Sequence, residues 1–137
     1  MSEAIKFPKR IPFAQTLGFE LLAFGEGHAE LRVQVADPLT NSRDVAHGGL
    51  LMTLLDVAMA HAAKSVRMDD TGRPSGMVTI EMKTSFMHPA KGLLRAVAKL
   101  MHQTQSLAFT EGTVFDQDGQ ACAHATGTFK YVRAIPD

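Results

Sequence analysis

The stretch that decides the fold runs from Val45 to Ala63 and reads VAHGGLLMTLLDVAMAHAA. Most of its residues are apolar or good helix formers, so it predicts one long buried helix, which we place at about His47 to Arg67. Gly48 and Gly49 open this helix and leave its first backbone N–H groups uncovered, where the helix dipole favours negative charge. Asp56 lies in the apolar middle, and burying a carboxylate is costly enough to require a reason.

An oxyanion-binding group and a carboxylate are the two parts that an acyl-transfer site needs. Gly49 and Asp56 are seven residues apart, so they share one helix face but lie roughly 10 Å apart along its axis. One reacting carbonyl cannot contact both. Either the two do not cooperate, or the glycines of one subunit face Asp56 of a second, antiparallel copy. The structural alternatives are a tight helix start for the glycines and an interface ion pair for Asp56.

Four other residues near this helix have both a structural and a functional interpretation. Asn41 is a turn residue or a side-chain amide that holds a carbonyl oxygen or a water. His47 is interpreted as the residue that caps the helix and fixes the preceding loop. Thr79 lies on a later strand, where it is an ordinary strand threonine or orients a water beside Asp56. His61 lies five residues after Asp56, about 140° around the helix, so we interpret it as a packing or surface histidine.

The remainder of the chain predicts strands. Two precede the helix and four follow it, with a short helical turn before them at residues 10–17. The predicted strands are Phe19–Phe24, His28–Val35, Met77–Met87, Leu93–His102, Leu107–Phe115 and Ala121–Val132. Turns are predicted at 25–27, 89–92 and 116–119, and a polar loop at 69–76. This order favours an α+β domain in which a curved antiparallel sheet wraps around one central helix, with a flank left open for a second copy.

The composition of the chain excludes several classes of function. Its 137 residues predict one domain, and 14 basic residues balance 14 acidic ones, so nucleic acid is not an expected partner. A single cysteine, Cys122, fits a reducing compartment, and the absence of a signal peptide and of an uninterrupted apolar span predicts a cytoplasmic protein without a membrane segment. The histidines show no metal-ligand spacing, so no metal is expected.

The pattern Asn41-x5-His47-Gly48-Gly49-x6-Asp56-x-Ala58 closely resembles the signature of hotdog-fold acyl-coenzyme A (acyl-CoA) thioesterases of the phenylacetate-pathway type, called PaaI-like. Further similarity lies in the strand and turn at 84–92 and in the closing hairpin at 116–129, and the resemblance covers about residues 12–132. It implies a hydrolase that acts on acyl-CoA, or on an acyl carrier protein, as a homodimer that is frequently paired into a tetramer. No cofactor is implied beyond the coenzyme A of the substrate.

The resemblance also implies roles for individual residues. Gly49, with Gly48 beside it, would donate its N–H to the thioester oxygen, and Asn41 and His47 would shape that side of the pocket. Asp56 of the opposing subunit would be the base or the nucleophile, and Thr79 would steady the water. The nucleotide would lie near Pro89 and Lys91. A Gly-Arg pair common in the family is absent at 102–106, so a cationic contact to the phosphates would be either missing or supplied by Lys83, Lys91 or Arg95.

Two other functions are compatible with the same scaffold. One is an enoyl-CoA hydratase or dehydratase, which would add or remove water without releasing a thiol. The other is a non-catalytic acyl-CoA-binding module, which would bind the thioester and leave it intact.

Overall fold

The computed structural model describes residues 3–72 and 74–133 and contains one six-stranded antiparallel sheet. The strands are β1 (Glu20–Gly25), β2 (His28–Gln34), β3 (Gly76–Phe86), β4 (Leu93–Gln103), β5 (Leu107–Phe115) and β6 (Ala121–Val132). The α-helices are α1 (Pro12–Leu17) and α2 (Gly48–Lys64). The predicted order of two strands, a long helix and four strands is therefore confirmed.

Helix α2 packs against all six strands, as the predicted wrapping of the sheet requires. The central side chains Leu54, Leu55 and Met59 are fully buried. Two strand glycines let the helix come close to the sheet, because a Cβ at Gly127 would lie 2.9 Å from Met59 Cε and one at Gly112 would lie 3.2 Å from Leu55 Cδ2. Side chains at these two positions would displace the ends of the Met59 and Leu55 side chains that pack the helix onto the sheet.

The helix ends three residues earlier than predicted, at Lys64 rather than Arg67. Ser65 lies at its C-terminus, where its hydroxyl donates to the Ala62 carbonyl and accepts a hydrogen bond from Gly27 N–H, each at 2.8 Å. A serine hydroxyl that binds nearby backbone groups competes with continued helical hydrogen bonding. The β1–β2 turn therefore holds the end of the helix.

The strand order across the sheet is β1-β2-β4-β5-β6-β3. The segment 89–92, predicted as a turn, is a bend at Gly92 with a φ of 74° rather than a hydrogen-bonded turn, and it joins two strands that are not neighbours. Strand β3 crosses to the far edge and pairs with β6, while β4 pairs with β2 and β5. Within the described residues β3 therefore has one unpaired edge.

A β-bulge in β3 corrects the predicted faces of this strand. Strict alternation of side chains along the sequence would place Val78, Ile80 and Met82 on one face of β3 and Thr79 on the opposite face. The pairing with β6 shifts between Thr79 and Glu81, so Ile80 is an extra residue. Because the shift resets the alternation, both Thr79 and Met82 face α2, and Val78 and Ile80 are 45% and 55% exposed.

Candidate active site

The first turn of α2 has one backbone donor in use and one available. His47 is the N-cap, and its Nδ1 accepts a hydrogen bond from Gly49 N–H at 2.8 Å. No acceptor in the described part of the chain takes the N–H of Gly48, the first helical residue. The cap role predicted for His47 is therefore confirmed. The donor expected at Gly49 is occupied in this structure, and the open N–H is that of Gly48.

The two glycines differ in how much space surrounds them. A Cβ at Gly49 would lie 3.0 Å from His47 Nδ1 and would disturb the cap. A Cβ at Gly48 would meet only the Phe86 ring, at 3.4 Å, which is ordinary contact. The helix cap therefore explains glycine at 49. Packing does not require glycine at 48, where close approach of a ligand to the backbone is the remaining reason for one.

Asn41 forms the turn that leads into this helix. Its Oδ1 accepts hydrogen bonds from Arg43 N–H at 2.8 Å and Val45 N–H at 3.4 Å. Because Oδ1 accepts both hydrogen bonds, the orientation of the Asn41 amide is fixed, and its NH₂ group lies on the side away from these two donors. The interpretation of Asn41 as a turn residue is confirmed. The same hydrogen bonds leave the two N–H donors of its amide next to the start of α2.

A cleft of about 390 Å³ lies beside the start of α2, between it and the end of β3. Gly48 and Asn41 line it together with Phe86 and Pro89. Two of the predicted site regions, the helix start and the turn at 89–92, thus come together here. Phe86 was not singled out from the sequence, although its place three residues before Pro89, in the predicted substrate-binding turn, was a usable signal.

Asp56 lies further along α2, and Thr79 holds it. The hydroxyl of Thr79 donates to Asp56 Oδ1 at 2.7 Å across the gap between β3 and the helix. The structure therefore brings together the two residues that the sequence analysis paired. The bulge at Ile80 makes the contact possible, because it turns Thr79 toward the helix.

Partial burial raises the pKa of the Asp56 carboxyl above its ordinary value of 3.8, since burial penalises the charged form. The hydrogen bond from Thr79 and the positive charge of Lys64 act in the opposite direction. Burial likewise lowers the pKa of Lys64, with the charge of Asp56 opposing that shift. A carboxyl with a raised pKa is suited to accept a proton during a reaction.

Gly48 and Asp56 do not share one cleft within the chain. They are eight residues apart in α2, or about 12 Å along the helix axis. Asp56 is not among the residues that line the cleft at Gly48. A single carbonyl cannot contact both groups of one chain.

One stripe of α2 remains open along its whole length, and it contains Asp56. The stripe also includes Gly49, Met52, Thr53, Ala60 and Lys64, none of which is buried. The edge strand β3 flanks this stripe, and on its outer face, away from α2, it exposes Val78 and Ile80. Natural proteins rarely leave an apolar edge strand uncovered.

The predicted cations lie outside this cleft. Lys83 and Lys91 are exposed, and neither lines it. The Arg95 guanidinium is 2.6 Å from Glu30 Oε1 and lies over the Phe115 ring. Of the predicted substrate-binding residues, the structure places Gly48 and Pro89 in the cleft.

His61 is a packing histidine, as predicted. It is 1% exposed, and its Nδ1 donates to the Val57 carbonyl at 2.7 Å. The rings of Phe7 and Phe24 pack edge-on against it. Burial lowers the pKa of His61 to about 4, so it remains neutral near pH 7.

The described residues include neither a metal-binding cluster nor a membrane-spanning helix. No group of three or more His, Cys, Asp or Glu side chains within 3–72 and 74–133 has a geometry that could hold a metal ion. In the same ranges, no helix combines the length and the apolar character needed to cross a membrane.

Comparison with known proteins gives a consistent result. A family model described as the thioesterase superfamily matches residues 44–123. The acyl-coenzyme A thioesterase PaaI of Escherichia coli is 26% identical over 112 residues, covering 80% of this chain and 75% of that protein. The matched family segment contains Gly48, Asp56, Thr79 and Pro89, and Asn41 lies just before it.

Solved structures share the architecture. Conserved protein PA5202 from Pseudomonas aeruginosa superposes with a TM-score of 0.82 at 30% identity, covering 91% of this chain and 97% of that one. PaaI from the E. coli phenylacetic acid degradation operon gives a TM-score of 0.82 at 23% identity, over 91% and 87% of the two chains. The hotdog fold implied by the sequence resemblance is confirmed.

Proposed function

The chain belongs to the thioesterase superfamily of hotdog-fold hydrolases, and we propose that it hydrolyses acyl-CoA thioesters to a free acid and coenzyme A. The observation that carries this proposal is a pair of complementary groups. Gly48 presents an unused backbone N–H in a cleft, and Asp56 presents a partly buried carboxylate held by Thr79. An acyl-transfer site needs both a donor for the developing oxyanion and a group that activates the nucleophile.

The oxyanion would form at the start of α2. The N–H of Gly48 donates to the carbonyl oxygen as negative charge develops on it, and the helix dipole stabilises that charge. The NH₂ group of Asn41 is a second donor in the same cleft, oriented by the turn that its oxygen accepts. His47 contributes indirectly, because its hydrogen bond to Gly49 N–H fixes the first turn of the helix.

Asp56 would act on the carbonyl carbon through water or directly. As a general base, it takes a proton from water while the water oxygen bonds to the carbonyl carbon; the C–S bond then breaks and the thiolate leaves as coenzyme A with that proton. As a nucleophile, Asp56 attacks the carbonyl carbon and forms a mixed anhydride while the C–S bond breaks and the thiolate leaves. Water then hydrolyses the anhydride, which releases the acid and regenerates the carboxylate, and a proton from this water converts the thiolate to coenzyme A. Thr79 occupies Oδ1, which directs the remaining oxygen, Oδ2, toward the reaction in either case.

The site would be completed by two protomers. The separation of Gly48 and Asp56 along α2 favours an arrangement in which two antiparallel helices place the N–H of one chain opposite the carboxylate of the other. The open stripe on α2 and the unpaired edge of β3 that flanks it support such an interface. Pairing of two such dimers into a tetramer is compatible with this proposal.

Coenzyme A would approach from the segment 89–92. Pro89 lines the cleft at this end, and Lys91 is exposed two residues further on, where its charge can meet a phosphate. Lys83 is a second exposed cation on the outer face of β3. The Arg95 guanidinium already pairs with Glu30, so we expect it to contribute less to phosphate binding than the two lysines. An acyl carrier protein presents the same pantetheine arm and is the alternative carrier.

The direct test of this function is thiol release from a panel of short, long and aromatic acyl-CoA thioesters. We expect release of coenzyme A with at least one of them, in equal amounts with the free acid. Water addition to an enoyl-CoA without thiol release would instead identify a hydratase. Tight binding of acyl-CoA with no turnover would identify a binding module. Either result would contradict the proposal.

The pH dependence of hydrolysis tests the contact between Thr79 and Asp56. Activity requires the carboxylate, so kcat/KM should fall on the acid side as pH drops through the raised pKa of Asp56, above 3.8. The hydrogen bond from Thr79 lowers that pKa, so Thr79→Val should move the acid limb to higher pH. Thr79→Ser retains the hydroxyl and should retain the wild-type profile. An unchanged profile in the valine variant would show that the contact does not act on the reacting carboxylate.

A further inference from the structure

Thr84 in β3 has an unusual environment. Its Oγ1 is buried, and among the described residues it is the one buried side-chain nitrogen or oxygen without a hydrogen-bond partner. A buried hydroxyl that makes no hydrogen bond destabilises the folded protein, and valine would fill nearly the same space without that cost. Neither the fold nor the proposed reaction uses this hydroxyl.

Two other residues of β3, one before and one after Thr84, contact α2 and so fix the position of Thr84 relative to this helix. Thr79 contacts Asp56 on α2, and Phe86 contacts Gly48 at the start of the same helix. Past the bulge, Met82, Thr84 and Phe86 alternate onto the face that packs against α2. Thr84 therefore lies between β3 and α2, two residues from Phe86, which lines the cleft at Gly48, or about 7 Å along the strand.

The direction of the bound thioester follows from the proposed function, on which this step rests. Coenzyme A approaches from Pro89, and the carbonyl lies at Gly48 beside Phe86. The acyl chain then continues along β3 away from Pro89, toward Thr84. A distance of about 7 Å spans about five carbon–carbon bonds of an extended chain, so the hydroxyl of Thr84 lies near the far end of a six-carbon acyl chain.

We propose that Thr84 is a specificity residue that binds an oxygen substituent, a hydroxyl or a keto group, on the acyl chain of the substrate. Its hydroxyl both donates and accepts, so it can pair with either substituent. Phe86 lies between the cleft and Thr84 and is 53% exposed, so its ring would have to rotate away from Gly48 to admit the acyl chain. An unsubstituted chain would leave the hydroxyl without a partner.

The test compares hexanoyl-CoA with its 3-hydroxy and 6-hydroxy derivatives. The wild-type protein should prefer at least one hydroxylated thioester by kcat/KM, and Thr84→Val should reduce that preference by about 5- to 100-fold. Thr84→Ser retains the hydroxyl and should retain the preference. Ser85→Ala removes a hydroxyl from the exposed neighbouring position and should leave the preference unchanged. Thermal unfolding should show Thr84→Val to be at least as stable as the wild type, because it removes the unpaired group.

Two outcomes would overturn this inference: equal rates with the three thioesters in the wild type, or a preference that survives in Thr84→Val. If no thioester is hydrolysed, the proposed function fails, and calorimetric binding of the same three compounds tests Thr84 separately. Tighter binding of a hydroxylated compound that disappears in Thr84→Val would still support the specificity role. Equal affinities would refute it.

Discussion

Asp56→Asn should reduce thioester hydrolysis by about 10³-fold or more, because the amide can neither accept the proton from water nor attack the carbonyl carbon. The substitution keeps the size of the side chain and an oxygen that can accept the hydrogen bond from Thr79. The loss should appear in kcat with little change in KM, since Asp56 acts on the reaction rather than on binding. Thiol release under saturating acyl-CoA measures it.

The same variant has an expected stability signature that separates lost chemistry from lost structure. The pKa of Asp56 is raised in the folded protein, so ionisation of this carboxyl destabilises the fold progressively as pH rises from 3.8 through that raised value. Asp56→Asn should therefore be more stable than the wild type at neutral pH. This advantage should shrink as pH falls toward 3.8, where the wild-type carboxyl is protonated in the fold. Near-normal turnover by this variant would exclude Asp56 from the reaction.

Gly48→Pro should lower kcat by about 10²–10³-fold while the protein remains folded, because proline lacks the N–H that would stabilise the oxyanion. Position 48 is the first residue of α2, where proline is favoured. The preceding residue, His47, has φ −62° and ψ 139°, which suits a residue before proline. Since no described residue accepts the N–H of Gly48, the fold loses no hydrogen bond.

Gly48→Ala is the matched control for that variant. Alanine adds the same Cβ beside Phe86, at 3.4 Å, but keeps the N–H. The difference in kcat between the alanine and proline variants therefore isolates the donor from the effect of filling the cleft. Equal activities in the two variants, with unfolding temperatures like that of the wild type, would show that this N–H does not bind the oxyanion.

The sequence was sufficient for the elements of the fold because each has a local signal. The alternation in β2 and the long apolar run of α2 identify a half-buried strand and a core helix without any knowledge of the tertiary structure. The order of strands in the sheet has no such signal, because β3 and β4 are consecutive in sequence and yet separate in space. Nothing local marks the crossover at 87–92.

The types of residue that form the site could be predicted from the sequence, but much of their geometry could not. Gly48 and Gly49 are equivalent in the sequence, and the hydrogen bond from Gly49 N–H to His47 distinguishes them only in the structure. Thr79 illustrates the same limit. Simple alternation places it on the face opposite Met82, and the bulge at Ile80, set by pairing with β6, turns it toward Asp56.

In the proposed enzyme, Gly48 of one protomer and Asp56 of the other form one site. A heterodimer of Asp56→Asn and Gly48→Pro, isolated through two different affinity tags, tests this directly by thiol release. One of its two sites would combine an intact Gly48 with an intact Asp56, so we expect about half of the wild-type activity from two nearly inactive parents. A heterodimer as inactive as its parents, or a chain that remains monomeric while fully active, would contradict the shared site.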